Sequence, residues 1–173
     1  MAAKNPWTKY IVLLVIALLL LGVNFLKNRR YEQKSEPIFT FDKESVTEIK
    51  VSKDTLSVTL IKGDTSWVFA TPDTGEVNQN RIDAFLENIV ADGKQTGYQT
   101  KNPDKYDTYD ITDEAATKIE LKLTEDKKEK LFVSRSKSNW AIDYIRYPGD
   151  PKVYITDKKI MHYFSENASF WRK

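Results

Sequence analysis

From Tyr10 to Leu26 the chain reads YIVLLVIALLLLGVNFL, apolar except at Tyr10, Gly22 and Asn24 and free of charge. Lys4 and Lys9 precede the run and Lys27, Arg29 and Arg30 follow it. These charges would stay with headgroups while ~30 Å of helix, counted from Trp7, crosses the hydrocarbon. The pattern predicts a retained N-terminal transmembrane helix, a single-pass signal-anchor. A cleaved secretory signal peptide is the rival for the same stretch. Against it, Leu21 to Leu26 lack a small-x-small cleavage pattern, and the chain has no Cys to carry a lipid.

Beyond the run the period changes. Residues 31–45 are polar around Pro37, with Ile38, Phe39 and Phe41 as the apolar exceptions, and read as a linker ending in a docking strand. Val46 to Ser52 and Leu56 to Ile61 alternate with period two about Lys53 and Asp54, which predicts a hairpin. Trp67, Val68 and Phe69 form a third short strand. Ile82, Phe85, Leu86, Ile89 and Val90 fall at i, i+3, i+4, i+7 and i+8, the stripe of an amphipathic helix over Asn78 to Asp92. Asn78 is placed to cap it, Val77 to staple onto Ile82, and Gly93 to end it.

Lys94 to Ala116 reads as polar and irregular, after which the hairpin pattern returns. Ile119, Leu121 and Leu123 alternate, as do Leu131 and Val133, and then Trp140, Ile142 and Tyr144; Val153 and Ile155 follow a Pro/Gly turn. A short helix is expected over Lys158 to Phe164, capped by Asp157. The order of strand, charged turn, strand, Trp-led strand and helix thus occurs twice. The expected fold is α+β: a transmembrane helix with its flanks (1–30), a linker (31–45), and a mainly antiparallel β domain with two helices (46–173) in two similar halves, 46–93 and 117–165.

Charge narrows the partners. The formal net charge is +2. All five basic residues before Tyr31 flank the apolar run, leaving 22 of the 27 cations against all 25 acids, a net of −3 for the remainder. No concentrated basic patch for a nucleic acid is expected. Lys27, Arg29, Arg30 and Lys34 slightly outnumber Lys4, Lys9 and the free amine, a bias that by itself leans toward a cytoplasmic domain.

Candidate chemistry is sparse. Asp104, Asp107, Asp110 and Asp113 recur every three residues, but that spacing does not fit a calcium loop and reads as a solvated acidic loop. One His, His162, supports neither a His-based metal site nor a His-pair relay. There is no GxSxG, SxxK or phosphate-cradling glycine loop. No enzyme activity and no cofactor are expected. Trp67 and Trp140 are expected to fill the sheet core; the competing account is a binding patch with Tyr144, Tyr147 and Tyr154. Asn24, Phe170 and Trp171 are the candidate interface residues: a polar group at the membrane edge, and two aromatics close to the C-terminus that can anchor a partner.

The anchor, the segments VTEIKVS, SWVFATP and VNQNRIDAFLENI, the loop DKYDTYDITDEAATKIELKL and the tail YIRYPGDPKVYITDKKIMHYF resemble the bacterial domain of unknown function 4340. Where that family usually reads yGLd followed by Pro, this chain has Tyr109, Asp110, Ile111 and Thr112, so it resembles a divergent member. The resemblance implies a membrane-tethered, extracytoplasmic domain, held at the inner membrane and facing the periplasm, of the kind associated with gliding-motility-type ABC transporters. The expected function is a non-catalytic accessory subunit of an integral membrane protein complex. The alternative is an extracytoplasmic module binding a glycan or lipid.

Overall fold

In the computed structural model of this chain, residues 7–30, 35–71 and 75–173 are described, with the backbone alone for residues 8, 9, 11 and 23–30. The chain divides into two compact units, Met1–Lys34 and Ser35–Lys173. In the first, α1 (Trp7–Arg30) is a helix of 24 residues. Among the described residues no helix is long and apolar enough to cross a membrane, which corrects the expected transmembrane, single-pass signal-anchor.

The second unit is one sheet of nine strands. Its strands are β1 (Glu36–Pro37), β2 (Val46–Lys53), β3 (Leu56–Lys62), β4 (Trp67–Phe69), β5 (Lys94–Thr100), β6 (Thr117–Leu123), β7 (Lys128–Arg135), β8 (Asp143–Arg146) and β9 (Val153–Thr156). They lie in the order β1-β5-β9-β8-β7-β6-β2-β3-β4, and every ladder between them is antiparallel. The expected hairpin is β2–β3, pairing Lys53 with Leu56 across a turn in which Asp54 takes the left-handed conformation its short polar side chain tolerates.

One face of the sheet carries the alternating residues Val46, Ile49, Val51, Val58, Leu60, Ile119, Leu121, Leu131 and Val133, all buried. Helix α2 (Gln79–Phe85), continued by a π-helical turn over Leu86–Ala91, packs on that face through Ile82, Phe85, Ile89 and Val90. Asn78 enters it with extended backbone but makes no side-chain cap bond. Gly93 ends the helix because nothing larger fits: a Cβ there would stand 2.3 Å from the Ile89 carbonyl oxygen. The segment before β2 docks as expected, with Ile38 and Phe39 buried and the Tyr147 hydroxyl donating to the Ile38 carbonyl at 2.9 Å.

The opposite face is covered over β7, β8 and β9. There residues 101–116 bury Ile111 and Ala116 against Phe132, Tyr144 and Val153, while Asp104, Asp107 and Asp113, expected on a solvated acidic loop, stay exposed. Arg146, nearly buried, lies over the rings of Phe132 and Tyr106, at 4.0 and 4.7 Å from their centroids. It donates to the Ile111 carbonyl and pairs with Asp113. Packing on both sides explains why all four residues of β8 are buried.

The expected α+β class with two helices in similar halves gives way to a mostly antiparallel sheet with few helices. Lys158 to Phe164 is not a helix. The Ile160 and Met161 amides both donate to Asp143 Oδ2, at 2.7 and 2.9 Å, and a carboxylate that takes adjacent amides holds the backbone out of helical register. The short helix lies later, at α3 (Ala168–Trp171). The β2–β3–β4 and β6–β7–β8 meanders do face each other across the β2/β6 pairing. Their tryptophans are nevertheless not equivalent: Trp67 opens β4 and is buried, whereas Trp140 lies in a turn before β8 and is 76% exposed.

Candidate functional site

Strand β7 runs out of its pairing at Arg135, and the next residues, Ser136 to Ala141, turn back toward β8. Small polar residues set that turn. Ser136 Oγ accepts from the Asn139 amide at 3.1 Å and donates to the Tyr144 hydroxyl at 3.2 Å; Asn139 Oδ1 accepts from the Ala141 amide at 3.0 Å. Trp140 is therefore held out to solvent on a backbone tied on both sides. The ammonium of Lys159 lies 5.6 Å from its ring centroid.

Facing this turn is the segment from Met161 to Glu166, fixed at one end by Asp143 and at the other by Trp171, whose Nε1 donates to the Ser165 carbonyl at 2.7 Å. Between the two walls is an open groove of ≈ 760 Å³. Thr117, Val133, Ser134 and Ser136 line it, Trp140, Met161, Phe164 and Phe170 add apolar surface, and His162 stands at its side. Its cations are Lys53, Arg135 and Lys137, its carboxylates Asp110 and Glu166. Asp110 is taken by Lys137 at 2.5 Å. Among the described residues no ion pair engages Lys53 or Arg135, and the buried Thr117 hydroxyl has no hydrogen-bond partner.

Of the residues marked out from sequence, Phe170 reaches this groove, with the Arg81 guanidinium 4.5 Å above its ring centroid. Trp171 lies wholly inside the domain, edge-on to Phe85 with centroids 5.9 Å apart. The tail around it is pinned by the Asn78 amide donating to the Trp171 carbonyl and the Lys173 amide to Glu76. The side chain of Asn24 lies outside the described residues. The tyrosines grouped with Trp140 do not gather around it: Tyr144 is buried, and Tyr147 pairs edge-on with Tyr154 at 5.7 Å. Burial pushes the Tyr147 hydroxyl well above the ordinary tyrosine range.

Lys53, Arg135 and Thr117 were not legible as site residues, because β2, β7 and β6 meet only in the folded sheet. The run Ser136, Lys137, Ser138 and Asn139 was a usable signal, since small polar residues in succession mark a turn rather than a strand. Among the described residues no group of three His, Asp or Glu side chains converges to hold a metal ion.

No curated protein and no solved structure matches the chain. Residues 67–173 match the family described as a domain of unknown function, DUF4340, a stretch that begins at Trp67 and takes in every lining residue of the groove except Lys53. With more than half of its length so matched, the chain belongs to the DUF4340 family.

Proposed function

We propose that the Ser35–Lys173 unit is a non-catalytic recognition module that binds its target in the groove beside Trp140. The observation that carries this reading is the exposure of a tryptophan on a fixed turn, in a groove whose Lys53 and Arg135 have no carboxylate partner among the described residues. A large aromatic surface kept in water costs hydrophobic free energy unless something covers it. The volume is within the roughly 300–1,000 Å³ of small-molecule clefts. Absence of catalysis is supported by how the groove's hydroxyls are used. Ser134 Oγ donates to the Tyr109 carbonyl and Ser136 Oγ to Tyr144, and among the described residues neither is hydrogen-bonded to His162, so no nucleophile and base are paired.

The test is a binding screen of the full chain and its Trp140→Ala variant against saccharides, anionic lipid vesicles and peptides. Recognition through the groove requires at least one class to bind the parent and lose about tenfold in the variant. Targets bound equally by both proteins would sink the reading. An extracytoplasmic setting suits such a module. In this cysteine-free chain, a Lys127→Cys variant should then react with an impermeant maleimide on intact cells, or on spheroplasts where an outer membrane intervenes.

Membership of a larger assembly, as an accessory subunit, is a second reading favoured by a different surface. Ile61 and Val68 pair across β3 and β4 and are 39% and 48% exposed, an outward apolar pair at the end of the sheet. Purification in mild conditions should recover partner chains with the parent and lose them with Ile61→Lys/Val68→Lys. A lone monodisperse monomer in both cases would count against it.

A further inference from the structure

Resting on the groove reading above, we infer that the ligand is a carboxylated saccharide, with one sugar ring stacked on Trp140 and its carboxylate held by Arg135 and Lys53. Three features of the groove select this chemistry.

The first is the source of its polar contacts. Of the groove-lining residues of β7, Val133 is paired with both β6 and β8, and Ser134 and Arg135 are paired with β8. An extended peptide adds to a sheet through a free backbone edge, and the edges of this sheet are β1 and β4, neither of which lines the groove. What remains are the side-chain cations and the lone pairs of the groove's serines, suited to a ligand that carries its own hydroxyls and an acidic group.

The second is the aromatic surface. Trp140 and Phe170 supply the wider rings, and each already has a cation over a ring face, Lys159 and Arg81. Trp140 is 76% exposed, and the electron-rich face of an indole attracts partially positive C–H groups such as those on the axial side of a pyranose. A lipid chain would bury apolar surface but leave the groove's cations desolvated without partners, at a cost.

The third is charge. Lys137 is neutralised by Asp110, whereas Arg135 and Lys53 are not paired among the described residues. A planar guanidinium binds a carboxylate through two parallel hydrogen bonds. Glu166, at the other wall, disfavours a ligand charged along its whole length and so favours one acidic group among neutral rings.

The experiment uses the full chain on an array that holds uronic-acid oligosaccharides, their carboxyl-reduced neutral counterparts, and acidic peptides of equal charge. The parent should bind uronic-acid members at least about tenfold more tightly than the reduced ones. Trp140→Ala should lose about tenfold against every bound saccharide. Arg135→Gln should lose binding to the acidic members alone, matching the neutral affinity. Both side chains are exposed, so melting temperatures should stay at the parent's value, which separates lost binding from lost folding. Equal affinity for acidic and reduced members overturns the carboxylate assignment. Acidic peptides bound in a Trp140-dependent way overturn the saccharide while leaving groove recognition intact. No Trp140-dependent binding in any class overturns both.

Discussion

Trp67 and Trp140 follow the same kind of sequence, a hairpin and then a tryptophan, and come to opposite ends. Trp67 has 8% of its surface exposed. Its amide donates to Gln79 Oε1 at 3.0 Å and its carbonyl accepts from Gln79 Nε2 at 2.9 Å, so the backbone at the free edge of β4 is plugged by a side chain from α2. That closure protects an edge that would otherwise pair with other chains. Trp140 has no such cover. Its turn is fastened by Ser136 and Asn139, and the wall across from it by Asp143 and Trp171, so the ring is ordered and open together. A residue's neighbours in space, rather than the strand it follows, decide whether an aromatic becomes core or contact surface.

The sharpest way to break this comparison is to truncate each ring in turn. Trp67→Ala should cost about 3–5 kcal/mol, the usual loss for a large buried aromatic. Trp140→Ala should stay within about 0.5 kcal/mol, as exposed substitutions do. Urea unfolding of both variants checks it, and similar midpoints would mean the two regions do not differ in the way described.

A smaller effect tests how the open region is held. Asp143→Ala removes the acceptor of the Ile160 and Met161 amides. Each stranded amide costs about 1–3 kcal/mol, partly offset by release of a buried carboxylate whose Oδ1 has no partner. We expect a net loss of about 2 kcal/mol, with hydrogen exchange at residues 160–166 accelerating more than at α2. Uniform acceleration across both would show that the wall is not separately fastened.

The smallest effect lies on the seam between the two regions, where Lys50, Glu120 and Lys130 stand opposite one another across β2, β6 and β7. Glu120 is 3.5 Å from Lys50 and 3.4 Å from Lys130. Partial burial pushes its carboxyl up, but the two ammonium groups outweigh that and hold it below the ordinary carboxylate range. A lowered value means the contribution is present above the unfolded carboxylate's pKa of about 4.3 and is lost as pH falls through the folded one. Glu120→Gln should therefore lower stability at pH 7 slightly and flatten the acid limb below about pH 4 by the same amount, small because exposed pairs are screened. An identical acid limb in the variant would remove Glu120 from the account.

What the sequence determined by itself are the elements whose own side chains carry the period. The β2–β3 alternation, the stripe Ile82, Phe85, Ile89 and Val90, and the docking of Ile38 and Phe39 all follow from residues that must leave water. The polar strand β5 was not legible. Only Gln95 of its seven residues is buried, so it carries no alternation, and its place comes from pairing with β9 and β1. The missing helix at Lys158 to Phe164 and the opposite fates of two tryptophans were decided by tertiary structure alone. So was the groove. It joins Lys53 of β2, Thr117 of β6, Arg135 of β7 and Phe170 of α3, residues far apart along the chain. No local pattern records contacts made only when the strands take their order, because the free energy that selects that order belongs to the whole buried face.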